Sequence, residues 1–85
     1  MAELVQNKKG FKVLKMRLDE VNHVGGLGIC DYCNTASTEG YYIAVLNMWY
    51  CPKCYNEWYL RTKYYKEDAE VENRNFNRMK EMLDR

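Results

Sequence analysis

Apolar and polar positions change their spacing several times along these 85 residues, and the changes divide the chain into elements. Phe11 to Met16 (FKVLKM) mixes apolar and lysine positions in near alternation, the period-two signature of a short strand. Leu18 and Val21, three apart, predict a helical turn over 18–24, which Gly25, Gly26 and Gly28 then break. NTASTEG (34–40) is rich in turn formers. YYIAVLN (41–47) is β-branched and aromatic enough for a strand, and MWY (48–50) predicts a second, shorter one. Over 55–65, Tyr55, Trp58, Tyr59, Thr62 and Tyr65 fall at helical spacing, and Pro52 sits where a first helical residue tolerates it. KEDAE (66–70) reads as a polar linker or cap. Phe76, Met79 and Leu83 then mark the buried stripe of a closing helix, with Glu70–Arg74 and Glu81–Arg85 as i, i+4 charge pairs on its exposed side.

These elements give one domain in three pieces: a β/α lead-in over 1–29, a core over 30–66 and a C-terminal helix over 67–85. A chain this short builds a marginal hydrophobic core, so a staple is expected. Thirteen Lys and Arg nearly balance twelve Asp and Glu, which argues against a protein driven mainly by attraction to phosphate. Charges interrupt the apolar positions of residues 1–18, so no secretory leader is expected there, and no apolar run approaches the ~20 residues of a membrane span. The expected location is cytoplasmic, where thiols stay reduced and paired cysteines read first as metal ligands.

All four cysteines lie in two C-x-x-C pairs, Cys30/Cys33 and Cys51/Cys54, seventeen residues apart. Zinc takes four thiolates in a tetrahedron, and each C-x-x-C turn lets two sulfurs converge on one ion. A hairpin between the pairs brings the second back to the first. Asn34 after Cys33 tolerates a positive φ, whereas Tyr55 after Cys54 favours direct entry into a helix, whose N-terminal amides stabilise thiolate charge. Cys30, Cys33, Cys51 and Cys54 are therefore the expected ligands of a single structural Zn2+. Four thiolates and one divalent ion would shift the formal charge from +1 to −1.

The spacing C-x2-C-x17-C-x2-C, with its last pair leading into an aromatic helix, resembles GATA-type zinc fingers over roughly Cys30 to Tyr65. The resemblance implies a small α+β treble-clef-like domain: a zinc knuckle, a β-hairpin, and a second knuckle opening a helix. It carries over the four cysteines as zinc ligands. The basic residues with which such fingers read DNA have no counterpart here, since 34–50 holds no Lys or Arg. The tail after Lys66 carries six carboxylates against four basic side chains. WYCPKC is also similar to the second metal knuckle of rubredoxins, which implies one iron and electron transfer as a lesser alternative.

Four cysteines close a coordination sphere and leave no place for substrate, so no enzyme is expected. His23 reads as a polar residue at a helix end, and GGLG lacks the Lys and Ser/Thr of a phosphate-binding loop. Ten of the twelve aromatics lie between Tyr32 and Tyr65. Trp49, Trp58 and Tyr59 are expected in the core. Tyr41, Tyr42, Tyr50, Tyr64 and Tyr65 are the candidates for an exposed face that binds a protein partner or a second copy. The alternative is a nucleic-acid finger using Lys8, Lys9, Lys12, Lys15 and Arg17 with Arg61, Lys63 and Lys66. A mixed DNA and RNA pool titrated across a salt series separates the two. The protein-partner expectation predicts no binding at low salt, whereas phosphate contacts predict an affinity falling steeply with log salt.

Overall fold

The computed structural model describes residues 2–5 and 7–84. Four antiparallel strands form one sheet in the order β1 (Glu3–Val5), β2 (Val13–Arg17), β3 (Glu39–Ile43), β4 (Met48–Tyr50). Between β2 and β3 come helix α1 (Leu18–His23) and the first cysteine pair. Helix α2 (Pro52–Arg61) follows β4 directly. A 3-10 turn over Lys66–Asp68 then leads into α3 (Ala69–Leu83). Among the described residues no helix is long and apolar enough to cross a membrane.

Helices cover both faces of this sheet. Val13, Ile43 and Tyr50 pack with Phe11, Cys30, Cys54, Tyr55 and Trp58 on the α2 side. Leu14, Met16, Tyr42 and Trp49 pack with Val21 of α1 and with Phe76, Met79 and Leu83 of α3 on the other. A strand buried on both faces reads as a continuous apolar run rather than an alternating one. Hence Tyr41, Tyr42 and Ile43 stand side by side in β3 while pointing alternately to the two cores. Aromatic rings fill the α2 side: Tyr41 stacks on Tyr55 at 4.3 Å between centroids, and Phe11 meets Trp58 at 4.8 Å. Gly40 is required by contact, because a Cβ there would lie 2.7 Å from the Trp49 ring and 2.5 Å from the Tyr50 carbonyl oxygen.

Two expected aromatic anchors are therefore corrected. Tyr42 and Tyr50 are buried core residues, because the sheet has no solvent face in its centre. Tyr41 and Tyr64 are half-buried, the latter set edge-on to Phe11 at 5.3 Å, and Tyr65 alone of the five is exposed, at 54%. Trp49 and Trp58 are in the core as expected, and Tyr59 is half-buried against it.

Boundaries shift for identifiable reasons. The strand expected over 41–47 ends at Ile43, because 44–47 form the tight β3–β4 turn with Asn47 at φ 54°. Amides of Leu46 and Asn47 donate to the carbonyls of Ile43 and Ala44 in that turn, both at 3.1 Å. The helix expected over 55–65 runs Pro52–Arg61 instead, since Thr62 turns extended and ends it. β1 has no counterpart in the sequence expectation. α1 matches its predicted span, with Glu20 Oε1 accepting from the Arg17 amide at its start and His23 exposed in its last turn. Glu70 and Arg74 are both exposed on α3, while Arg85 lies outside the described residues.

Polar contacts fasten α3 to the sheet. Glu72, 2% exposed, accepts from the Lys12 amide at 3.0 Å. Asn75 Nδ2 donates to the Ala44 carbonyl at 2.8 Å, and the Tyr42 hydroxyl, bonded to Asn47 Oδ1 within the hairpin, also reaches the Asn75 carbonyl at 3.5 Å. Removing one partner leaves the other buried and unsatisfied. Glu72→Ala and Asn75→Ala are each expected to lower stability by about 1–3 kcal/mol in urea denaturation. Exposed Glu70→Ala should change it by less than about 0.5 kcal/mol.

Candidate metal centre

The first cysteine pair sits in a small loop closed on itself. The Cys30 amide donates to the Thr35 carbonyl at 3.0 Å, the Asn34 amide to the Cys30 carbonyl at 2.9 Å, and the Ser37 amide to the Gly28 carbonyl at 3.0 Å. Asn34 takes φ 61°, the left-handed conformation expected of the residue after the pair. Within this turn the amides of Tyr32 and Cys33 point at Cys30 Sγ, at 3.4 and 3.5 Å. Backbone dipoles thus already face a sulfur that must carry negative charge.

The second pair opens α2. Cys51 is its N-cap with extended backbone, Pro52 occupies the first helical position, and the Tyr55 amide donates to the Cys51 carbonyl at 2.9 Å. Pro at that position lacks only an N–H that the helix leaves unpaired anyway. One turn later Cys54 faces the core.

Asp31 joins the two halves. Its amide donates to the Trp49 carbonyl at 2.9 Å, and its carboxylate accepts from the Trp49 amide at 2.9 Å. This residue therefore satisfies the outer edge of β4 and docks the first knuckle two residues before Cys51. No expectation from the sequence includes Asp31, because its partner is the backbone edge of β4, which exists only in the folded sheet.

The result is a cluster of four sulfurs, all within 4.8 Å of one another. Cys33 Sγ lies 3.8 Å from Cys51 Sγ. Sulfurs at the corners of a tetrahedron with bonds of ~2.3 Å are about 3.8 Å apart, so the donor set fits one thiolate-bound ion. All four predicted ligands are brought together and are positioned for metal binding. Their protonation differs with their surroundings. Hydrogen bonds from the Thr35 side chain and backbone lower the exposed Cys33 thiol to about 6. Burial first, and then the neighbouring sulfurs, push Cys54 upward.

Several of the residues expected to meet phosphate already have partners within the chain. Lys9 donates to the carbonyls of Tyr59 and Thr62 at 2.5 and 2.7 Å and lies over the Tyr59 ring. It is the cationic cap of α2's C-terminus, which is where a helix favours positive charge. Lys12 is bound to Asn73 Oδ1 and sits over Phe76. Arg61 lies over the exposed Tyr32 ring at 5.1 Å. Lys8, Arg17, Lys63 and Lys66 are exposed, and Lys15 is half-buried on β2.

Comparison with protein-family models, with curated proteins and with solved structures gives no match to this chain. Metal binding requires thiolates, so the ion must displace the Cys54 proton, and below about 6 it must also compete for Cys33. Occupancy is expected to fall as pH is lowered through that value, followed by calorimetry in buffers of different ionisation heat. Asp31→Ala, which releases the knuckle from β4, is expected to weaken binding roughly 10–100-fold, the range for residues that orient ligands.

Proposed function

We propose that this protein is a non-enzymatic zinc module whose single ion is structural. On this reading Cys30, Cys33, Cys51 and Cys54 hold one Zn2+, and the protein presents its surface to a protein partner. The observation that carries it is the convergence of four sulfurs within 4.8 Å, with one pair at tetrahedral spacing. Four thiolates complete the sphere of the ion, and a closed sphere has no place for a reacting water or substrate. The order of parts, a knuckle, the β3–β4 hairpin and a second knuckle opening α2, supports a treble-clef-like arrangement. The lead-in supplies β1 and β2, which extend that hairpin into the four-stranded sheet.

A protein partner is favoured by where the exposed apolar groups lie. Tyr32, 55% exposed, contacts Tyr50 at 5.7 Å, and the Tyr50 hydroxyl reaches Met48 Sδ at 3.7 Å. With Arg61 over Tyr32 and Met48 39% exposed, aromatic, thioether and guanidinium groups stand exposed beside the metal knuckle, supported from below by the buried Tyr50 ring. Tyr and Arg on a rigid support are frequent interface anchors. Tyr32 and Tyr65 replace Tyr42 and Tyr50 as the aromatic contacts. Nucleic-acid binding loses support because Lys9 and Lys12 already have partners within the chain.

The experiment is elemental analysis with an absorbance scan of the purified protein, followed by chelation. One zinc per chain and no visible absorption are expected. Chelation is expected to abolish the near-ultraviolet circular dichroism, since structural zinc contributes on the order of 10–16 kcal/mol in small fingers. Iron in place of zinc would overturn the metal assignment. Tertiary structure that survives verified metal removal would overturn the structural role.

A further inference from the structure

The four sulfurs are not equivalent in what surrounds them. Cys30 is 0% exposed and Cys54 5% exposed, both within the core on the α2 side. Cys51 is half-buried, and Cys33 is exposed. Cys30 Sγ also accepts the amides of Tyr32 and Cys33, which draw electron density from it. Thiolate reactivity follows access to solvent as well as charge, so the reagent that reaches this centre meets Cys33 first. The sulfur standing 3.8 Å from Cys33 is that of Cys51, on the other chain segment.

We propose that Cys33 is a modification site within the metal centre, the ligand at which a hydroperoxide opens it, with Cys51 as the resolving thiolate. The inference rests on the metal-binding function proposed above. In the first step Cys33 Sγ attacks one peroxide oxygen. The O–O bond breaks, the thiolate is oxidised to a sulfenic acid, and the departing oxygen leaves as alkoxide (hydroxide for hydrogen peroxide) and takes a proton from solvent. In the second step Cys51 Sγ attacks the sulfenic sulfur, forms the S–S bond and expels hydroxide, which is protonated to water. Two thiolates, one hydroperoxide and two protons give one disulfide, one alcohol (or water) and one water. The sulfurs close from 3.8 Å to the ~2 Å of a disulfide. The ion loses two of its four ligands and leaves.

The exposed side of the centre makes this route specific. Cys33 Sγ is exposed and only 3.8 Å from Cys51 Sγ, so the two sulfurs can join without opening the core around Cys30 and Cys54. Cys30 and Cys54 have core residues around them and cannot approach an oxidant without opening that core.

The test treats the full zinc-loaded chain with hydrogen peroxide and follows zinc with a chromogenic chelator while peptide mapping locates the oxidised cysteines. One zinc released per peroxide consumed, with Cys33–Cys51 as the dominant disulfide, is expected. Brief alkylation of the zinc-loaded protein should label Cys33 ahead of the other three. In Cys33→His, three thiolates and an imidazole still suit zinc, and release by peroxide is expected to slow roughly tenfold or more. Early oxidation of Cys30 or Cys54, a dominant Cys30–Cys33 disulfide, or unchanged sensitivity of Cys33→His overturns the proposal. The zinc content before peroxide is added tests the underlying metal function separately. A chain that binds no zinc overturns both, and a zinc-loaded chain with any of these contrary results overturns this inference alone.

Discussion

Four cysteine sulfurs within 4.8 Å set the constraint on which the arrangement of this protein depends. Two thiolates about 4 Å apart repel by roughly 4 kcal/mol at the effective dielectric of a protein surface. Four such charges cannot share this volume without either protons or a cation. A divalent ion turns mutual repulsion into shared attraction. Such an ion would also join two segments that are separated by a complete hairpin. The protein matrix prepares the meeting independently of the ion: Asp31 holds the first knuckle to β4, and Pro52 starts α2 directly after Cys51.

From that junction the rest of the domain is arranged in layers. α2 leaves the centre across one face of the sheet, while α1 and α3 cover the other. Two-sided burial is demanding for 85 residues, and it takes up groups that would otherwise serve at a surface. Tyr42 and Tyr50 become core, Glu72 and Asn75 become internal anchors, and Lys9 closes the end of α2. What remains outside near the metal is a narrow strip around Tyr32 and Arg61. On the proposed reading, function lies in what that strip touches and in whether the centre beside it stays closed.

Much of this was legible in the residues themselves. Periodicity located β2, the hairpin, α2 and α3, because each has a long enough apolar pattern to be seen. Paired spacing located the four sulfurs, because a turn and a hairpin bring C-x-x-C pairs together whatever the remaining sequence is. β1 was not legible: Glu3–Val5 lacks the aromatic composition that marks the equally short β4, and it forms a strand along the edge that β2 offers. The tyrosines of β3 and β4 misled for a related reason. Alternation along one strand does not tell whether both faces are covered: α3, thirty residues away, covers Tyr42, and α2 with the first knuckle covers Tyr50. Charge alone likewise does not reveal that a helix C-terminus lies close enough to take Lys9. Asp31 escaped notice because its role depends on the free edge of a strand that exists only in the folded sheet.

The central claim, that four thiolates and nothing else hold one ion between the knuckle and the start of α2, is tested most directly by X-ray absorption at the metal edge of the purified protein. Four sulfur neighbours at ~2.3 Å, with no nitrogen or oxygen neighbour, are predicted for zinc in this site. A light-atom ligand, or fewer than four sulfurs in protein whose cysteines are reduced, would contradict it.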